Sequence, residues 1–161
     1  MTGKTNEEVV PRQGDFIWYE LMTNDTEAAQ AFYGGLLGWS FENAGNGGMD
    51  YHLFAADGPN VGGFLPLTPE MTENGARPLW AGYILVFDVD KTVTAIVDED
   101  GMLLMGPLDI PDVGRIAFVA DPQGAPFYVM NPIPPKGLNL NMPLSPEMQA
   151  LYAAPNDKPF E

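Results

Sequence analysis

The hydrophobic pattern begins with Phe16-Ile17-Trp18-Tyr19-Glu20-Leu21-Met22, an aromatic and β-branched run of strand type. Asn24 or Asp25 then offers an N-cap, and apolar residues at 28, 29, 32, 33 and 36 fall at helical spacing up to Gly38, a C-terminal stop. Three strands are predicted next, over residues 39–43, 51–56 and 61–65. They are separated by the glycine-rich turn 44–48 and by Asp57-Gly58-Pro59. The order is βαβββ.

That order recurs. Residues 80–87 predict a strand, 89–98 a helix ending near Gly101, 102–105 a short strand, and 115–120 and 127–130 two more. Leu53-Phe54-Ala55-Ala56-Asp57 finds a counterpart in Ala117-Phe118-Val119-Ala120-Asp121, an offset of 121 − 57 = 64. The helix-starting aspartates Asp25 and Asp88 differ by 88 − 25 = 63. Near-equal offsets in separate elements point to duplicated modules, over residues 14–66 and 80–132.

Between them, in the linker 67–79, Thr68-Pro69-Glu70-Met71 has the grammar of a capped helix start. Ser145-Pro146-Glu147-Met148 repeats it in a proline-rich tail, 133–161, for which a short helix is expected. Residues 1–13 carry few large apolar groups and read as a flexible arm.

Charge changes the picture of partners. Seven Lys plus Arg stand against 22 Asp plus Glu, a net charge of −15, which disfavours nucleic acid and anionic membrane surfaces. The absence of cysteine excludes disulfides, thiolate catalysis and sulfur-ligated zinc. The N-terminus lacks an apolar signal core and no run spans a bilayer, so a cytoplasmic protein is expected.

Trp18-Tyr19-Glu20-Leu21 with Asp25, then Phe32-Tyr33 and Leu37-Gly38-Trp39, resembles the opening module of the glyoxalase/bleomycin resistance/dioxygenase (vicinal oxygen chelate) superfamily. Val86-Phe87-Asp88-Val89-Asp90 and Asp121-Pro122-Gln123-Gly124 are similar to its second helix start and final hairpin. The resemblance implies an α+β fold of two tandem βαβββ modules, with a cup-shaped mixed sheet around a cavity. It also implies frequent pairing into homodimers. In metal-dependent members, His, Gln or Glu from the first and last strands of each module converge on one divalent ion. Counting from the paired aspartates puts Trp18, Phe64, Ala81 and Tyr128 at those positions, none a usual ligand. A slip of two residues keeps each strand face and substitutes Glu20 and Tyr83 for Trp18 and Ala81. No metal or other cofactor is therefore expected.

Glu20 shares a strand face with Trp18 and Met22. A carboxylate among aromatics is desolvated, which suits a general base; the alternative is a structural Glu satisfied by backbone donors or by Arg115. Glu20 and Tyr128 are thus the candidate catalytic groups. Trp18, Glu20, Phe64, Tyr83, Tyr128 and the single histidine, His52, are the candidate ligand-binding set. Gly62-Gly63 is read as backbone crowding rather than a phosphate loop, since no helix start or lysine follows.

Two functions of different class follow. One is a metal-free protein that binds a small aromatic or hydrophobic molecule. The other is an enzyme, either a lyase, isomerase or dioxygenase with an atypical ligand set or a metal-free catalyst built on Glu20. A purely structural protein whose cavity is filled by its own side chains is a third.

Overall fold

The structure, a computed structural model, describes residues 11–45, 50–111 and 113–132. The expected tail helix lies outside these residues, as does most of the N-terminal arm. The chain divides into two compact units, Phe16–Ile84 and the combination of Met1–Asp15 with Leu85–Glu161.

The first unit runs β1 (Phe16–Thr23), α1 (Thr26–Leu37), β2 (Ser40–Asn43), β3 (His52–Ala55), β4 (Gly62–Pro66), α2 (Pro69–Glu73) and β5 (Leu79–Leu85), whose last residue belongs to the second unit. Its strands lie in the order β2-β3-β4-β1-β5. β1 pairs parallel with β4 and antiparallel with β5, so the pairing is mixed. The second unit holds α3 (Val89–Asp98), β6 (Met102–Ile110), β7 (Gly114–Ala120) and β8 (Pro126–Pro132), with β8, β7 and β6 joined antiparallel. Strand, helix and three strands thus follow one another twice along the chain, as the α+β reading predicts.

Local chemistry explains the helix bounds. The Asp25 carboxylate accepts the Ala28 amide at 2.9 Å, and Gly38, at φ 71, donates back to the Gly34 carbonyl at 3.0 Å. Asp88 caps α3 in the same way, accepting from the Lys91 amide at 3.0 Å. The hydroxyl of Thr68 accepts the Met71 amide at 3.2 Å, so the linker carries the short helix its sequence predicts. In the final hairpin, one Asp121 oxygen takes the amides of Gln123 and Ala125, each at 2.9 Å.

Each unit packs one sheet face on its own helix. In the first, Leu21, Phe54 and Phe64 are buried with Ala29, Tyr33, Trp39 and Phe41. In the second, Val86, Val89, Val93, Ala117, Val119 and Val129 are buried with Ile96 and Phe127.

Those faces correct the repeat alignment. Phe54 points to α1, whereas Ala117 and Val119 take the α3 side and leave Phe118 on the opposite face. Because side chains alternate along a strand, an offset wrong by one reverses every residue. An offset of 63 preserves orientation throughout, pairing Phe54 with Ala117 and Phe64 with Phe127; the Asp57/Asp121 match is one residue out. β6 also exceeds its predicted four residues, reaching Ile110 through two irregularities in its pairing with β7. The Gly106-Pro107 pair, just past the predicted end, is carried inside the strand with a cis peptide bond.

Candidate functional site

The face of β1 turned away from α1 carries Trp18 and Glu20. Glu20 is 3% exposed, the one charged side chain classed as buried among the described residues. A buried carboxylate requires strong donors. Its Oε2 accepts the hydroxyl of Tyr83 at 3.0 Å and that of Tyr51 at 3.2 Å. The Tyr51 oxygen in turn accepts the indole N–H of Trp18 at 3.1 Å. Three donors thus form a directed set ending on one carboxylate oxygen.

Strand register brings this group together. Trp18 stands opposite Tyr83 and Glu20 opposite Ala81 across the β1/β5 pair, while Glu20 meets Gly63 across β1/β4 and Gly63 meets Leu53 across β4/β3. Tyr51, just before β3, lies over Gly63, where a Cβ would overlap the phenol ring and hydroxyl. A Cβ at Gly62 would instead run into the Tyr19 carbonyl and the Phe54 ring. Both glycines are therefore places of close approach. Burial, reinforced by the charge of Glu20, raises the Tyr51 phenol above the ordinary tyrosine value, so it remains a proton donor at neutral pH.

Tyr51 completes this hydrogen-bonded group and is absent from the expected binding set. Its neighbour His52 drew attention as the single histidine, but successive strand residues face opposite sides. The available signal was the glycine pair, which marks where an aromatic ring from an adjacent strand has room to lie.

Two members of the expected binding set are placed elsewhere. Phe64 is 0% exposed and sits in the α1 core, against Tyr33, Phe41, Phe54 and Trp80. Strand parity turns it to the side opposite Trp18 and Glu20: Leu21, not Glu20, stands opposite it. His52 faces the same side as Phe64. Its Nε2 contacts Asp50 Oδ1 at 2.6 Å, and Asp50 Oδ2 accepts the Thr26 hydroxyl at 2.6 Å. The Thr26 hydrogen bond and then His52 hold the Asp50 carboxyl below its usual range. These residues, with Glu27, Gln30 and Pro66, line a surface cavity of about 500 Å³ at the start of α1.

Tyr128 belongs to the second unit, 4% exposed, its ring stacked on Phe118 at 4.5 Å on the face away from α3. Arg115, also in that unit, grips Asp90 through two nitrogens at 2.7 and 3.0 Å and reaches Asp109 at 3.1 Å.

A divalent metal does not fit the first unit's group. An indole N–H offers no lone pair, the neutral phenols are already donors to Glu20, and Oε2 already accepts two protons. Among the described residues, no three His, Cys, Asp or Glu side chains stand together as potential ligands. Nor is any described helix long and apolar enough to cross a membrane.

A family model described as the Glyoxalase/Bleomycin resistance protein/Dioxygenase superfamily matches residues 16–129. CFP32 of Mycobacterium tuberculosis, which carries a provisional glyoxylase name, is 39% identical over 117 residues, 71% of this chain and 44% of its own. The anthracycline biosynthesis protein DnrV of Streptomyces peucetius is 31% identical over 125 residues, 70% of this chain and 45% of its own. The chain thus spans less than half the length of these curated relatives. Among solved structures, methylmalonyl-CoA epimerase from Mycobacterium tuberculosis aligns with a TM-score of 0.55 at 15% identity, over 80% of this chain and 95% of that one. At that identity the likeness is one of fold.

Proposed function

Because this chain belongs to the Glyoxalase/Bleomycin resistance protein/Dioxygenase superfamily, we propose that it binds a small aromatic or hydrophobic molecule, without a divalent metal, on the face that carries Trp18, Glu20, Tyr51 and Tyr83. One observation carries the reading: Glu20, the one buried carboxylate among the described residues, is wrapped by aromatic donors rather than by metal ligands. The aromatic surface suits a flat ligand, with stacking that contributes about 0.5–1.5 kcal/mol per ring pair beyond area burial. The net charge of −15 disfavours anions. DnrV adds support, since anthracyclines are fused aromatic ring systems.

Catalysis by Glu20 is the weaker reading. The two phenol hydrogen bonds to Oε2 stabilise the carboxylate and so weaken it as a base. The same proposal includes a homodimer as the assembled state.

Chelator-treated protein titrated with nickel, zinc, manganese and iron(II), then with neutral and cationic aromatic compounds, provides the test. Melting temperature is expected to rise with an aromatic compound, and the rise to vanish in Trp18→Ala. Strong stabilisation by one metal that Glu20→Ala abolishes overturns the proposal.

A further inference from the structure

The polar atoms around Glu20 say what kind of ligand the face selects. Trp18 has one polar hydrogen, on Nε1, and it goes to the Tyr51 oxygen at 3.1 Å. Tyr51 has one, and it goes to Glu20 at 3.2 Å; the hydrogen of Tyr83 goes to the same carboxylate at 3.0 Å. Every side-chain donor of these three rings is engaged inside the protein. What such rings can still offer a ligand is π surface, whose negative faces attract cations and repel anions.

We propose that Tyr51 is the specificity-determining residue of this face: by taking the indole proton of Trp18 and giving its own to Glu20, it withholds hydrogen-bond donors from the ligand. The face then favours cationic or apolar flat aromatics over anionic ones rich in acceptors. The inference rests on the binding role proposed above and adds the residue that sets the preference. Gly63 is part of the device, because any side chain there displaces the Tyr51 ring from its position over the strand.

The decisive variant is Tyr51→Phe. It keeps the ring over Gly63 but removes the acceptor of the Trp18 proton, so the indole N–H becomes available to a ligand. Two tricyclic probes of similar size and opposite charge, 9-aminoacridine and anthraquinone-2-sulfonate, are titrated against wild type and variant. The protein's net charge acts equally on both proteins, so the comparison isolates position 51. Wild type is expected to bind 9-aminoacridine in preference to the sulfonate. In Tyr51→Phe that preference is expected to fall about tenfold, the size of one hydrogen bond gained by the acceptor-rich probe.

The indole N–H resonances supply a readout that general loosening does not move. The Trp18 signal, assigned by its loss in Trp18→Phe, is expected to shift in Tyr51→Phe while those of Trp39 and Trp80 stay. Gly63→Ala, which retains the hydroxyl but displaces the ring, is expected to change both readouts in the same direction. If wild type binds 9-aminoacridine and Tyr51→Phe leaves the preference unchanged, the role of Tyr51 fails and the binding face stands. An unmoved Trp18 signal likewise overturns the Tyr51 role. If wild type binds neither probe, the binding role fails and this inference falls with it.

Discussion

Glu20 is 3% exposed, and a carboxylate so placed depends on the hydrogen bonds it accepts, here from Tyr83 at 3.0 Å and Tyr51 at 3.2 Å. Its place two residues from Trp18 and two from Met22 on a predicted strand was enough to expect burial, and it is buried. What holds it was not legible, because Tyr51 reaches it through the pairing of three strands, and register between strands is a tertiary fact. Replacing Glu20 with Ala takes this acceptor from the buried phenol of Tyr83 and the part-buried phenol of Tyr51, a loss of about 1–3 kcal/mol for each hydrogen bond to the charged group. Gln keeps the shape and an acceptor oxygen, so Glu20→Gln is expected to lose less stability than Glu20→Ala in urea unfolding. The reverse order would show that the carboxylate charge, rather than its acceptor role, holds this face together.

A second residue-scale prediction concerns acid. The Arg115 guanidinium holds the Asp90 carboxyl below its ordinary value. A carboxylate depressed in the folded state contributes stability that is present above its unfolded pKa, about 3.9, and is lost as pH falls through the folded value. The Asp90 side chain is 59% exposed, so solvent screening reduces the contribution to about 1 kcal/mol or less. Asp90→Asn is therefore expected to melt lower than wild type at pH 7, with the gap closing below about pH 3.9. A gap that stays constant down to acid would refute the assignment.

At the scale of elements, helices were read more accurately than strands. The bounds of α1 and α3 match their predicted ranges because caps are local: an aspartate before each helix accepts an amide three residues on. Strand ends drifted by one or two residues, and by five in β6, and the parity of the β3/β7 comparison was reversed, because alternation fixes a face only when an absolute register is known. Phe64 tests that correction. A wall residue would lose ligand affinity with little loss of stability. A core residue packed under α1 loses about 3–5 kcal/mol when truncated to Ala. Phe64→Ala is expected to show the core behaviour in denaturant unfolding; a loss well below that range would return it to the wall. Gly62→Ala belongs to the same argument, since its Cβ meets backbone as well as ring, and overpacking of about 1–3 kcal/mol is expected.

For the whole molecule, charge and exposed apolar surface pull in opposite directions, and the homodimer proposal depends on their balance. α1 leaves Phe32, Leu36 and Leu37 at 60%, 67% and 50% exposure, and β6 leaves Met102, Leu103, Leu104 and Met105 between 37% and 51%. Exposed apolar side chains in sequence-adjacent sets on one helix or strand are characteristic of association surfaces. Each copy nevertheless carries −15, so two copies repel over distances set by the screening length. That length falls from about 10 Å at 0.1 M salt to about 3 Å at 1 M. Screening removes the repulsion while apolar burial remains, so self-association is expected to strengthen with sodium chloride, opposite to the behaviour of a complex between unlike charges. Sedimentation equilibrium across about 0.05 to 0.5 M salt reads this directly, as a dimer fraction that rises with screening. Phe32→Glu on α1 and Leu103→Glu on β6 then separate the two surfaces, since a new charge weakens association only where it lies in the interface. A monomer at every salt concentration, or a dimer weakened by salt, overturns this account.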